Sequence, residues 1–247
     1  MLDAIQYRIL KRISPCPRSC CNASAYEKKS KLSVLMGDGF FARIAGKVVI
    51  DFGCGEGDEA VEMAKSGAAR VMGIDIREDV LQRARQKAVA AGVDDVCHFR
   101  SLATESADVI ISLDAFEHFQ EPEQILQIMN TLLKPGGEVL VSFGPTWYHP
   151  LGGHLFSAFP WAHLIFSERA LIRWRSDFKT DGATRFSEVA GGLNRMTISR
   201  FEKIVADSPL KFASLELVPI RKLRPFHNHL TREFFTAVVR CRLLKRA

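Results

Sequence analysis

The stretch Val48-Val49-Ile50-Asp51-Phe52-Gly53-Cys54-Gly55-Glu56-Gly57 is an apolar strand that runs directly into glycines at every second position. Glycine tolerates positive φ and lets a ligand approach the backbone without meeting a Cβ, while a helix that follows offers unpaired N–H groups at its start. A helical pattern does follow, over 57–67, and then a second apolar run, Arg70-Val71-Met72-Gly73-Ile74-Asp75. Asp75 ends that run 18 residues after Gly57, where a carboxylate can accept both hydroxyls of a ribose. Strand, glycine turn, helix and acid together predict a nucleoside-binding β-α-β unit.

Working outward, the alternation continues. A helix is expected over 77–92, strands over 95–99, 107–112 and 137–143, and a helix over 121–133. Short apolar runs alternating with helical patterns predict an α/β fold with a parallel sheet and right-handed crossovers. Two further strand-like runs, 211–220 and 232–241, close the chain around a loop containing Pro and His. Residues 144–200 break the rhythm with Gly, Pro, His, Trp and Phe over a length no compact connection needs, so they are expected to form a substrate-side insertion or lid. Before the first strand, residues 1–46 carry a short amphipathic pattern (Leu2, Ile5, Ile9, Leu10) and a mixed helix-like stretch from Ser24 to about Phe41, which reads as an N-terminal helical cap. The remaining residues, 47–247, make up the main domain.

The spacing of the glycines separates two kinds of nucleotide. A dinucleotide loop is G-x-G-x-x-G, its third glycine giving close helix–strand packing beneath a pyrophosphate. Here the loop is G-x-G-x-G, and Asp58 stands where the third glycine would be. An acid there would repel a pyrophosphate and tolerate a ligand carrying an ammonium and a sulfonium. Asp51 and Asp58 therefore both favour a cationic, zwitterionic cofactor over NAD.

The 247 residues are 47% hydrophobic, enough to bury a full core, and the net charge of +6 is spread over 34 basic and 28 acidic side chains. Nucleic acid is not implied. Basic residues gather towards the ends, Arg8, Lys11, Arg12, Lys28, Lys29 and Lys31, then Arg221, Lys222, Arg224, Arg240, Arg242, Lys245 and Arg246, where they could face an anionic surface. No run reaches the roughly 18 apolar residues of a membrane span and the start lacks a signal-peptide core, so a cytoplasmic protein is expected, with peripheral contact at the inner membrane face. Six cysteines fit reduced thiols. Cys16, Cys20 and Cys21 form C-x3-C-C without the second pair that structural zinc takes, so no metal is expected.

Four motifs in order, Val49 to Gly57, Gly73-Ile74-Asp75, Ser112-Leu113-Asp114-Ala115-Phe116-Glu117-His118-Phe119 and Leu133-Lys134-Pro135-Gly136-Gly137, make residues 47–143 resemble the class I S-adenosylmethionine-dependent methyltransferases. Within these the chain is similar to the ubiquinone and menaquinone biosynthesis methyltransferases, and more weakly to those of bacterial surface-polysaccharide clusters. The resemblance implies a Rossmann-like seven-stranded sheet, order 3-2-1-4-5-7-6 with strand 7 antiparallel and helices on both faces. It implies S-adenosylmethionine as cofactor. Asp51 with Gly53, Cys54, Gly55 and Gly57 would hold its methionine moiety, Asp75 the ribose, Ile76 one face of the adenine, and Ser112, Leu113 and Asp114 the methionine end and the substrate mouth. Relatives often place an acid and a small residue after strand 3; this chain reads Phe99-Arg100-Ser101-Leu102-Ala103, so adenine would meet backbone groups of Leu102 or Ala103.

Methyl transfer then needs an acceptor aligned with the S–CH3 bond and water kept out, without metal. A base is needed only for a hydroxyl or an acidic carbon, and the candidates are His118, His149 and His154, with Tyr148 beside them. The aromatics of the insertion, Trp147, Phe156, Phe159, Trp161 and Phe166, would line an apolar pocket or meet lipid, while Arg173, Arg175, Arg185, Arg195, Asp177 and Asp181 read as solvated surface. The expected acceptor is a small molecule, a saccharide or a lipid-linked group. Two other readings compete: a NAD-dependent oxidoreductase, and a non-catalytic cofactor-binding protein that docks a partner through its aromatic insertion.

Overall fold

The computed structural model describes residues 2–14, 30–37, 39–102, 106–179, 182–189 and 192–246. In chain order the elements are α1 (Leu2–Ile13), α2 (Lys31–Met36), α3 (Phe40–Ile44), β1 (Val48–Phe52), α4 (Asp58–Lys65), β2 (Arg70–Ile74), α5 (Glu78–Ala91), β3 (Cys97–Arg100), β4 (Ala107–Leu113), α6 (Pro122–Leu132), β5 (Leu133–Phe143), α7 (Ala162–Ile165), α8 (Glu168–Ser176), α9 (Ile198–Ala206), β6 (Leu210–Pro219), α10 (Arg232–Phe235) and β7 (Thr236–Lys245).

All seven strands form one sheet in the order β3-β2-β1-β4-β5-β7-β6. The first five pair in parallel, and β7 runs antiparallel to both β5 and β6. This is the expected Rossmann-like order. Strands buried on both faces read as continuous apolar runs, and alternate residues here serve two cores. Ile50, Phe52, Met72, Ile74 and Ile110 pack with Leu126 and Met129 of α6 and Phe201 and Ile204 of α9. On the other face Val49, Val71, Val109 and Ile111 pack with Leu32, Phe40 and Ile44 of the N-terminal helices, Met63 of α4 and Leu81 of α5. Strand order reverses between β1 and β4, so the crevice at their carboxyl ends is where an open α/β sheet binds ligands.

A third core lies in the insertion, and the N-terminal cap divides because of it. Leu10 of α1 is fully buried with Phe156, Trp174, Phe186 and other insertion residues. The Trp174 indole N–H donates to Ser14 O at 2.8 Å. Helices α2 and α3 instead belong to the sheet, with a break at Gly37 (φ 84°) where one helix-like stretch was read. The insertion aromatics Phe156, Trp174 and Phe186 thus build an interior, and Arg175, read as solvated, is 6% exposed beside the Phe156 ring.

Two strand boundaries differ from expectation. Residues 232–235 form α10, because Glu233 accepts from the N–H groups of Ile198 and Ser199 at the start of α9 and Arg232 grips Glu202 at 2.6–2.7 Å. The strand begins only at Thr236. β5 starts at Leu133 with an irregular register against β4, where Lys134 reaches Asp108 at 3.0 Å. Cys54, Cys97 and Cys241 are free and buried. Cys16, Cys20, Cys21, Lys28, Lys29, Asp181 and Ala103 lie outside the described residues. Among the described residues no helix is long and apolar enough to cross a membrane.

Candidate active site

The glycine loop hangs from the end of β2. Gly53 and Cys54 donate to Ile74 O at 2.8 and 3.0 Å, Gly57 donates to Cys54 O at 2.9 Å, and Gly55 donates to an Asp75 carboxylate oxygen at 3.1 Å. Gly57 has φ 79°, and a Cβ there would stand 2.5 Å from the Phe99 ring and 2.9 Å from Ala84. Only glycine satisfies both the left-handed turn and the packing of α5 and β3 behind it.

Asp75 is buried and engaged. Besides Gly55 it accepts from the Arg77 N–H at 3.0 Å and from the Arg77 guanidinium twice at 3.1 Å. Burial opposes its ionisation, but Arg77 and the Gly55 N–H outweigh that and hold the carboxyl below its ordinary value. Arg77 is 48% exposed, so the pair meets solvent on its guanidinium side. Ile76 beside it is 91% exposed, and Leu102 75%. Both are accessible to a flat ring.

Asp51 lies at the end of β1, fully enclosed, and one of its oxygens has no partner among the described residues. Burial, then the charge of Glu59, pushes its carboxyl well above the usual range. Ser112 at the end of β4 is likewise buried with its hydroxyl unpartnered among the described residues. Asp114, at φ 49°, turns the chain away from β4. Asp58 does not share this crevice: it is 71% exposed and bound to Lys87 on α5 at 2.8 Å, so the preference for a cation rests on Asp51 and its neighbours.

Two groups at the site have no role assigned from the sequence. Lys31, first residue of α2, bridges Glu59 at 3.2 Å and Asp114 at 3.0 Å. Burial works against its charge, yet the two carboxylates hold it protonated. Glu117 is 3% exposed, one oxygen accepting from the Gly144 N–H at 3.2 Å and the other unpartnered among the described residues. Burial, reinforced by Asp114, pushes its carboxyl up to about 8 from 4.5. Between those values the unfolded chain ionises while the folded chain keeps the proton, so this group's stabilising contribution, complete below pH 4.5, is lost as pH rises through 8. Glu117→Gln, which mimics the neutral acid, is expected to gain on the wild type by a few kcal/mol between pH 5 and 8 in urea unfolding. Parallel pH curves for the two proteins would refute this.

The candidate bases separate. His118 Nδ1 bonds Gly192 O at 2.9 Å, and its ring meets His154 edge-on at 5.3 Å. It lines a cavity of about 350 Å³ with Gln120, Ser187, Asn194 and Arg200. His154 bonds Pro145 O through Nε2 at 3.2 Å, and burial lowers it to about 4. His149 Nδ1 accepts from the Leu151 N–H at 2.9 Å, and burial lowers it to about 4 as well. Both are neutral, weak bases at neutral pH. Tyr148 lies apart, 38% exposed against Phe234. Asn194 fastens the insertion to the exit of β4, donating to Phe116 O at 2.7 Å and Phe119 O at 2.8 Å.

Residues 44–146, which hold the glycine loop, Asp75, Ser112 and Asp114, match the family model described as a methyltransferase domain. Over this stretch the chain is similar to a methyltransferase domain. Over 109 residues the chain is 38% identical to the ubiquinone biosynthesis O-methyltransferase of Cupriavidus pinatubonensis, 41% of this chain and 43% of that one. The protein of the same description from Stutzerimonas stutzeri is 37% identical over 107 residues, covering 40% and 45%. The match therefore spans less than half of this chain and less than half of each relative. Among solved structures, magnesium protoporphyrin IX methyltransferase from Synechocystis PCC 6803 with bound SAH superposes with TM-score 0.57 at 17% identity, covering 99% of this chain and 96% of that one. An S-adenosylmethionine dependent methyltransferase from Mesorhizobium loti gives 0.53 at 19%, covering 82% and 92%. At such identity these share the fold of the methyltransferase domain. Lys31 falls outside the matched stretch, as does the insertion from Trp147 onward.

Proposed function

We propose that the chain transfers a methyl group from S-adenosylmethionine to a hydroxyl or acidic carbon of a small-molecule acceptor, in particular a saccharide or lipid-linked one. The observation that carries this reading is the glycine loop tied to Asp75, with one Asp51 carboxyl oxygen and the Ser112 hydroxyl buried and unpartnered among the described residues at the neighbouring strand ends. Such a set suits a ligand with ribose hydroxyls at one end and an amino acid at the other. When bound, the cofactor supplies an electrophilic methyl on a sulfonium.

The residues divide the remaining work. Asp75 takes the ribose hydroxyls once Arg77 has swung aside, and Ile76 offers an apolar plate to adenine. Asp51 and Glu59 complement an ammonium, and Lys31 complements a carboxylate. A cation beside Asp51 restores its ionised form, so the crevice selects a zwitterion over a pyrophosphate. The Nδ1 contact of His118 with a carbonyl fixes the proton on that nitrogen and leaves Nε2 as the basic one. We assign it the acceptor's proton, with Gln120 and Asn194 lining the cavity where the acceptor binds.

Titration calorimetry with S-adenosylhomocysteine tests the cofactor, and transfer of labelled methyl to candidate acceptors tests the reaction. Binding of NAD in its place would overturn the reading. His118→Ala is expected to lower kcat by about 10²- to 10⁴-fold with S-adenosylhomocysteine affinity unchanged. An unchanged kcat returns His118 to holding the insertion through Gly192.

A further inference from the structure

Helix α1 has two apolar faces, and the insertion covers one. Leu10 enters the insertion core, the Tyr7 hydroxyl donates to Asp177 at 2.9 and 3.1 Å, and Arg173 lies over the Tyr7 ring at 4.2 Å. The second face is a row of aliphatics, Leu2, Ile5, Ile9 and Ile13, between 46% and 67% exposed. At about 100° per residue these four fall in a strip roughly 80° wide. The start of α1 abuts the end of α7, because Asp3 accepts from the Ser167 hydroxyl at 2.6 Å and Gln6 accepts from the Ser167 N–H at 2.9 Å. Ile165, two residues before Ser167, is a further exposed aliphatic, at 60%.

Charge on the exposed side of α1 has one sign. Arg8, Lys11 and Arg12 are exposed, Lys11 being paired with Asp177 at 3.4 Å, whereas Asp3, the one acid of the helix, is committed to Ser167. An aliphatic strip with Arg8 and Arg12 along one edge and no acid on either suits a bilayer with anionic headgroups better than a protein partner or a second copy. We propose that α1 docks this chain on an anionic lipid bilayer, its aliphatic row entering the acyl boundary and Arg8 and Arg12 meeting headgroup phosphates. Because α1 is fastened to α8, docking holds the insertion at the bilayer surface. The assignment deepens the lipid-linked reading of the acceptor and rests on it for its purpose alone.

Flotation of the full chain with vesicles of phosphatidylcholine and phosphatidylglycerol, against phosphatidylcholine alone, tests it. The expected result is flotation with the anionic vesicles, weakened by salt. Ile5→Glu with Ile9→Glu is expected to reduce binding at least about tenfold, and Arg8→Gln with Arg12→Gln about thirtyfold, near fivefold per basic residue. All four positions are exposed, and a thermal melt verifies that each variant is folded. Flotation unaltered by both variants overturns the proposal, as does a dimer that the Ile variants dissociate without any flotation by the wild type. Neither methyl donor nor acceptor enters the assay, so its failure is separate from a failure of the methyl-transfer reading.

Discussion

Asp75→Ala is expected to weaken S-adenosylhomocysteine binding by about 10²- to 10³-fold, measured by titration calorimetry. Hydrogen bonds to a charged group contribute about 1.5–3 kcal/mol each, and a ribose offers two donors to this carboxylate. Against that stands the release of Arg77, a half-exposed partner whose ion pair is worth about 0–1 kcal/mol. The difference runs from about 2 to 6 kcal/mol, and the expected fold-change lies in the lower half of that range. Asp75→Asn keeps an oxygen for the Gly55 N–H and one hydroxyl, so its loss should fall between. An affinity for Asp75→Ala within fivefold of the wild type would show that the ribose lies elsewhere.

Gly57→Ala is expected to lower stability by about 2–5 kcal/mol, the sum of roughly 1–2 for the left-handed backbone and 1–3 for overpacking. For a chain of this size that is a fall in Tm of roughly 5–20 °C. The overpacking arises because the new methyl would collide with the Phe99 ring at 2.5 Å and Ala84 at 2.9 Å, both set in the packed interior. Gly67→Ala is the control: its φ of 95° is also left-handed, but a Cβ there meets nothing within 4 Å. It should show the backbone cost alone. Equal shifts in the two variants would mean that Phe99 yields without cost.

The sheet was legible because its central strands are buried on both faces, so Val49-Ile50, Val71-Met72 and Val109-Ile110 read as apolar runs whichever core each residue enters. The glycine loop and Asp75 were legible because their geometry is local: one turn, one helix start and one strand end. Lys31 and Glu117 were not. Lys31 meets Asp114 across more than eighty residues, and no periodicity relates them. Glu117 sits in a mixed polar and apolar stretch that gives no sign its carboxyl will be enclosed beneath Gly144. Asp58 misled in the opposite way, since its place in the glycine spacing suggested a ligand whereas Lys87 of α5 claims it. α10 is hidden in the sequence because Phe234-Phe235-Thr236-Ala237-Val238-Val239 reads as a strand, apolar but for Thr236, and the polar residues that keep its beginning helical act through α9.

The burial of Leu10 among insertion residues has a consequence for how the chain is made. Contacts such as Trp174 with Ser14 and Tyr7 with Asp177 join positions 160 and 170 residues apart. At translation rates of about 5–20 residues per second, α1 leaves the ribosome roughly 8–30 s before α8 exists to receive it. During that interval both apolar faces of α1 are bare, so the nascent chain presents a short basic amphipathic segment to whatever binds such segments. Deleting the first fourteen residues should therefore spare the parallel sheet and leave the insertion unable to close its own core.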